Sequence, residues 1–167
     1  NYPLKIQKGI MLHRFIDEYT DKHTATINAK QFFKAELGLY SGAFIDVVYD
    51  YFLANDFNEF NSDFALENFA VSCYYNLEKN SNYFPASFQL PFQSMKTHNW
   101  LVNYKNDVGI QKSFDSLTNR AKYINHKHNA FAIFLENKEN LKIQYDIFFK
   151  DIKQFALQKI ISLHNNK

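Results

Sequence analysis

Apolar residues recur at three- and four-residue spacing along nearly the whole chain, and this periodicity constrains the fold most strongly. Strict alternation of apolar and polar residues, the pattern of a half-buried strand, is nowhere sustained. Glycine (4 residues) and proline (3 residues) are scarce, which disfavours turn-rich all-β folds. The sequence therefore predicts an all-α fold, with helices at 4–22, 26–37, 42–55, 62–79, 87–105, 108–121, 126–137 and 140–163.

The length of the chain and its local signals predict one helical domain. A chain of 167 residues is long enough to bury a core of its own, and no linker, internal repeat or charge run divides it. Ser62 has the side chain of an N-cap before a helix, and Gly38 is suited to ending one. We therefore expect a single-domain helical bundle over residues 1–167.

Composition excludes several classes of protein. A formal net charge of +2 is too small to indicate nucleic-acid binding through bulk charge. The single cysteine, Cys73, rules out an internal disulfide or a cysteine-based zinc cluster, and its apolar surroundings predict an inert thiol. No run approaches 18 apolar residues and no signal peptide is recognisable, so we expect a cytoplasmic protein without a membrane partner.

An ionisable stripe runs along the first predicted helix. His13, Asp17 and Asp21 follow at four-residue intervals and share one narrow arc, with Arg14 at its edge. Isoleucines occupy the same arc one and two turns earlier, so we expect the stripe to face the interior and to need an internal partner. A histidine and an aspartate one turn apart can direct their donor atoms at one point, as an imidazole–carboxylate metal site requires.

The third predicted helix carries a second polar pair. In AFIDVVYDYFLA only Asp46 and Asp50 are neither apolar nor aromatic, and they share a face. Two like charges among such neighbours are costly unless a divalent cation, or His13 and Arg14, offsets them. Both polar stripes together favour a shared site for metal-assisted hydrolysis; a structural ion-pair network is the alternative.

Two further features, His23 and Arg120, allow two interpretations each. His23 follows the first stripe and could support it or simply end a helix. Arg120 ends a predicted helix, where a cation complements the dipole, or it could contact phosphate. Trp100 and Tyr104 are expected to anchor the core.

Three segments of the sequence resemble one family. They are IQKGIMLHRFIDEYTDKH, IDVVYDYFLANDF and, less specifically, NWLVNYKNDVGIQKSFDSLTNR. These segments are similar to the G-I-x-x-H-R-x-I-D-x-x-T-D, D-V-x-x-D-H-F-L and W-L-x-x-Y stretches of the acyl carrier protein phosphodiesterase family. The resemblance is strong over about residues 3–57 and moderate over 88–121.

The resemblance implies an HD-like all-α metallophosphohydrolase fold and a defined reaction. The family hydrolyses the phosphodiester that joins 4′-phosphopantetheine to a serine of holo-acyl carrier protein, with a divalent cation, typically Mn²⁺. The implied metal ligands are His13, Asp17, Asp21 and Asp50. Catalytic roles are implied for Asp46, as a ligand or general base, and for Arg14, at the phosphate. Lys5, Lys8, Lys30 and Lys34 are candidates for docking the acidic carrier protein, or form a solvated face.

Two departures from the family pattern keep other functions open. Tyr51 stands where the family has histidine, and the chain begins at Asn1 without the family's upstream segment, which carries a further aspartate. We therefore expect that an N-terminal piece of the gene product is missing. The alternatives are an HD-like hydrolase of another phosphate ester or nucleotide, and a non-catalytic helical interaction domain whose His/Asp cluster is structural.

Overall fold

The computed structural model describes residues 2–121 and 129–165, and all regular structure within them is helical. The α-helices are α1 (Leu4–Lys22), α2 (Thr24–Leu37), α3 (Ser41–Ala54), α4 (Asp63–Lys79), α5 (Ala86–Thr97), α6 (Trp100–Asn103), α7 (Asp107–Arg120), α8 (Ala130–Glu136) and α9 (Lys138–Asn165). Short 3₁₀ turns cover Gly38–Tyr40 and Ser81–Tyr83. The prediction of an all-α fold is confirmed. Residues 126–128 of the eighth predicted helix lie outside the described residues.

Contacts divide the described residues into two compact units. The first comprises those of Asn1–Ile45 and His128–Lys167, and the second those of Asp46–Lys127, so the boundary falls within α3. The single-domain organisation and the HD-like relationship stay predictions.

In the first unit, the 28-residue helix α9 packs along α1 and α2. Its buried stripe carries Leu141 and Tyr145, which are almost completely enclosed, as are Phe33 of α2 and Phe134 of α8. The ring of Tyr19 on α1 stacks on Phe155 of α9, with centroids 4.2 Å apart. Burial of these aromatic side chains is the main source of stability in this unit.

In the second unit, α4 and α5 contribute an aromatic core. Ala70, Tyr74 and Phe92 are buried together, with Phe84 and Phe88 packed against them. The rings of Phe84 and Phe92 meet edge to face at 5.1 Å, a favoured geometry for aromatic pairs.

Two helix boundaries follow the predicted local signals. The Ser62 hydroxyl oxygen accepts a hydrogen bond from the backbone N–H of Ala65 at 3.2 Å, which confirms the N-cap of α4. Gly38 ends α2 with a φ of 52°, a conformation that a side chain disfavours.

The predicted helix over 87–105 is wrong as one continuous element. Asn99 adopts a left-handed conformation with a φ of 43°, which separates α5 from α6. Asparagine tolerates this conformation better than most residues. The backbone N–H of Leu101 then donates to the Tyr74 hydroxyl at 3.1 Å, so a contact distant in sequence stabilises the break. Such a contact is invisible to periodicity.

A tight approach holds the turn between α6 and α7. A Cβ atom added at Gly109 would lie 1.9 Å from the backbone oxygen of Asn103. This glycine is therefore required by the close packing of two backbone segments.

Among the described helices, none combines the length and the apolar content that a bilayer span requires.

Candidate functional site

The first polar stripe lies on α1 and forms two pairs. His13 Nδ1 lies 2.8 Å from Asp17 Oδ2, one helical turn apart. Asp21 Oδ1 accepts a hydrogen bond from Lys30 Nζ on α2, also at 2.8 Å. The structure thus brings His13 and Asp17 together, while Asp21 pairs with a lysine of the neighbouring helix. Arg14 is exposed beside them.

The prediction that this stripe faces the interior is wrong. No residue of α1 is buried, and the side chains of His13 and Asp17 are 76% and 59% exposed. The cause is one-sided packing: α1 contacts α9 through Tyr19, and Lys159 of α9 lies 4.7 Å from the centroid of the Phe15 ring. The stripe occupies a different arc, so its donor atoms are open to solvent.

The second polar pair lies on α3 in a different environment. Asp46 is exposed, whereas Asp50 is half-buried and follows the buried residues Val48 and Tyr49. The pKa of Asp50 is raised to about 7. Burial of the carboxyl group is the main cause, and the charge of Asp46 one turn earlier is the second. A carboxyl group with a pKa near neutrality can exchange protons under ordinary conditions, as general acid–base catalysis requires.

Tyr104 lies within electrostatic range of Asp50, and the sequence patterns do not predict it as a site residue. Burial raises the pKa of Tyr104 to about 12, and the charge of Asp50 is the second cause. The phenol is therefore neutral and remains a hydrogen-bond donor. Tyr74 and the Arg120 guanidinium also lie within electrostatic range of Tyr104. The available signal for Tyr104 is the W-L-x-x-Y stretch, although the sequence predicts a core residue there.

Arg120 is the last residue of α7, as predicted, and its Nε donates to the backbone oxygen of Ser116 at 3.2 Å.

Tyr51, which stands where the family pattern has histidine, is buried, and its ring meets Phe52 edge to face at 5.4 Å. Burial raises the pKa of the half-buried Cys73 thiol, consistent with an unreactive sulfur.

His23 has a structural role at the junction of α1 and α2. Its Nδ1 accepts a hydrogen bond from the Ala25 backbone N–H at 3.2 Å, which makes it the N-cap of α2. Its Nε2 lies 3.2 Å from Asp151 Oδ2 on α9. The pair lines an open cleft of about 430 Å³ with Tyr19, Asn28 and Gln144.

The donor atoms form pairs rather than a larger cluster. Within the part of the chain that the structure describes, no three His, Cys, Asp or Glu side chains lie close enough to hold a metal ion. His13 and Asp17 belong to the first unit, and Asp46 and Asp50 to the second. Two neighbouring carboxylates can still bind a hard cation, because water molecules and the phosphate of the substrate can supply its remaining ligands.

Comparison with known proteins identifies relatives over most of the chain. Residues 1–152 match the model of a family described as acyl carrier protein phosphodiesterase. A relative with that name from Salmonella paratyphi A is 27% identical over 120 residues, which cover 72% of this chain and 62% of the relative.

More distant relatives extend the match. Proteins of the same name from Yersinia pestis and Klebsiella pneumoniae are 24% and 22% identical over 96% and 95% of this chain, and 83% and 82% of their own lengths are covered. No solved structure matches the chain.

Proposed function

This chain belongs to the acyl carrier protein phosphodiesterase family, and we propose that it hydrolyses the phosphodiester between 4′-phosphopantetheine and the serine of holo-acyl carrier protein. The products would be 4′-phosphopantetheine and the apo carrier protein. The reaction would take place in the cytoplasm, which is the location that the sequence predicts.

The observation that carries this proposal is the carboxyl pair of α3. Asp46 and Asp50 lie within the residues that match the family, and burial together with the neighbouring charge raises the pKa of Asp50 to about 7. A half-buried carboxyl next to a second carboxyl lowers the stability of the fold. A purely structural role does not account for retaining such a pair. Such a cost is typical of functional sites.

The residues of this pair fit a divalent cation. Carboxylate oxygens are the ligands that Mn²⁺ and Mg²⁺ prefer, and a cation would offset the repulsion between Asp46 and Asp50. When bound, it supplies Lewis acidity toward the phosphoryl oxygens. Mn²⁺ is the ion that the family resemblance implies, and His13, Asp17 and Asp21 stay predicted ligands.

The protein's own groups would manage the proton. Asp46 is exposed and can accept the proton that water loses as its oxygen bonds to phosphorus. The bond between phosphorus and the serine oxygen breaks in the same displacement on the opposite side of phosphorus, so the serine oxygen takes its proton from water and Asp46 then releases its own proton to solvent. The Arg14 guanidinium, as the sequence predicts, would neutralise charge on the phosphate.

Mass spectrometry of holo-acyl carrier protein tests the proposal directly. Incubation with the protein and Mn²⁺ is expected to remove the mass of the phosphopantetheine group, and a chelator or the substitution Asp50→Asn should prevent this loss. Asp115→Asn, which changes an exposed carboxyl on α7, is the matched control and should remain active. If the wild-type protein leaves the mass of holo-acyl carrier protein unchanged in the presence of Mn²⁺, the assigned substrate is wrong.

A further inference from the structure

Three helices of the described chain, α3, α4 and α8, are each followed directly by an asparagine that makes the same hydrogen bond. The Nδ2 atoms of Asn55, Asn80 and Asn137 each donate to the backbone oxygen four residues earlier, at 2.8, 2.8 and 2.9 Å. This bond adds a side-chain donor to a carbonyl group of the last helical turn, and at Tyr51 and Ile133 the backbone N–H of the same asparagine also donates to that oxygen. It explains why a short amide side chain suits these positions.

The side chain of Asn55 donates a second hydrogen bond, which Asn80 and Asn137 do not make among the described residues. Its Nδ2 also donates to the backbone oxygen of Lys105 at 3.0 Å. One amide group therefore joins the last turn of α3, through Tyr51, to the segment between α6 and α7. Asn55 and Lys105 both lie in the second unit, 50 residues apart in sequence.

The two joined segments carry the half-buried groups of the candidate site. Asp50 directly precedes Tyr51, and Tyr104 directly precedes Lys105. Asp50 and Tyr104 lie within electrostatic range of each other. The Asn55 bonds therefore connect the backbone next to the carboxyl group with the backbone next to the phenol.

Other contacts hold the Tyr104 segment from its remaining sides. The ammonium group of Lys105 pairs with Asp63 at the start of α4. Gly109 meets the backbone of Asn103 in the close approach described above. These contacts join the segment to α4 and α7, and the Asn55 side chain supplies its bond to α3.

We infer that Asn55 is a positioning residue of the candidate site: by donating to the carbonyl groups of both Tyr51 and Lys105, it fixes the Tyr104 segment relative to α3 and limits the access of water to the Asp50 carboxyl. The inference rests on the proposed function only for its effect on turnover. The structural part concerns the surroundings of Asp50 alone.

The test compares Asn55→Ala with Asn80→Ala and Asn137→Ala. All three variants lose the C-terminal helix bond, but only Asn55→Ala also loses the link to Lys105. The readout is labelling of Asp50 by a water-soluble carbodiimide and glycine ethyl ester, measured by peptide mass spectrometry. We expect several-fold faster labelling of Asp50 in Asn55→Ala and unchanged labelling in both controls. Asn55→Ser, whose hydroxyl is too short to bridge, replaces the alanine variant if that one does not fold.

Turnover provides the second readout. Because small displacements of reacting groups are costly, kcat on holo-acyl carrier protein should fall about tenfold in Asn55→Ala, with KM little changed.

The outcomes separate this inference from the proposed function. Unchanged labelling of Asp50 in Asn55→Ala overturns the inference, whether or not the wild type hydrolyses holo-acyl carrier protein. Faster labelling together with an inactive wild type supports the positioning of Asp50 and rejects only the substrate. Faster labelling with an unchanged kcat of an active enzyme overturns the catalytic importance of Asn55.

Discussion

His23 Nε2 lies 3.2 Å from Asp151 Oδ2, a contact that joins residues 128 positions apart. The other ring nitrogen, Nδ1, accepts from the Ala25 backbone N–H. An accepting Nδ1 carries no proton, so in this arrangement Nε2 bears the proton and donates it to the carboxylate. One neutral imidazole therefore caps α2 and also connects the α1–α2 junction to α9.

Substitution of His23 should destabilise the protein through both contacts. We expect His23→Ala to lower the free energy of unfolding by about 1–3 kcal/mol. His23→Asn should cost less, because asparagine can still cap α2. Urea unfolding measures both effects, with the exposed His98→Ala as the matched control. Equal stability of His23→Ala and wild type would show that neither contact matters.

The raised pKa of Asp50 predicts a stability that depends on pH. In the folded protein the carboxyl titrates at about 7, and in the unfolded chain near its ordinary value of 3.8. As pH rises from about 4 to 7, the unfolded state loses this proton first, so the free energy of unfolding falls. Asp50→Asn removes that loss and should be more stable than wild type by about 2–4 kcal/mol at pH 8, with no gain below pH 4.

Unfolding by urea at several pH values checks this prediction. Asp115→Asn on α7, which removes an equal charge from an exposed position, should show no comparable gain at pH 8. A gain of the same size at pH 4 and pH 8 would mean that burial of the side chain, rather than its charge, is the source.

Addition of Mn²⁺ should stabilise the wild type. Binding to the folded state alone contributes about 2.7 kcal/mol when the free ion is at a hundred times its Kd. Since the ion binds the carboxylate form, this stabilisation should weaken as pH falls below about 7, and it should vanish in Asp50→Asn.

Asp17→Ala tests the ligand set that the sequence predicts. The exposed pair with His13 contributes about 1 kcal/mol at most, so the variant should keep its helical circular dichroism. The ligand set that the sequence predicts requires the response to Mn²⁺ to be lost, whereas a response that persists would assign the ion to the α3 pair alone. Calorimetric unfolding with and without chelator measures the response. A wild-type Tm that Mn²⁺ leaves unchanged would contradict the metal assignment.

Two glycines in helices should respond in opposite ways to alanine. Gly109→Ala should cost about 3 kcal/mol or more, because its Cβ would overlap the backbone oxygen of Asn103. Gly9 lies in α1 with nothing within 4 Å of such a Cβ, so Gly9→Ala should stabilise by about 0.5–1 kcal/mol. Thermal unfolding of both variants measures the difference, and a stable Gly109→Ala would disprove the close approach.

Local features were predictable because local chemistry decides them. Helical spacing identified α1, α2, α3, α4, α7 and α9 within a few residues. Ser62 and Gly38 marked helix boundaries through the chemistry of their own side chains and backbone. The break at Asn99 was not predictable, since Tyr74, far away in sequence, stabilises it through Leu101.

The sequence by itself determined that the chain is helical and that aspartates lie one turn apart on α1 and α3, because helical spacing follows from the 3.6-residue repeat. Only the tertiary structure decided how these two stripes differ. On α1, one-sided packing against α9 leaves His13 and Asp17 exposed. On α3, the surrounding protein removes water from Asp50 and raises its pKa. Desolvation depends on every neighbouring segment, so a pattern read along one helix cannot supply it.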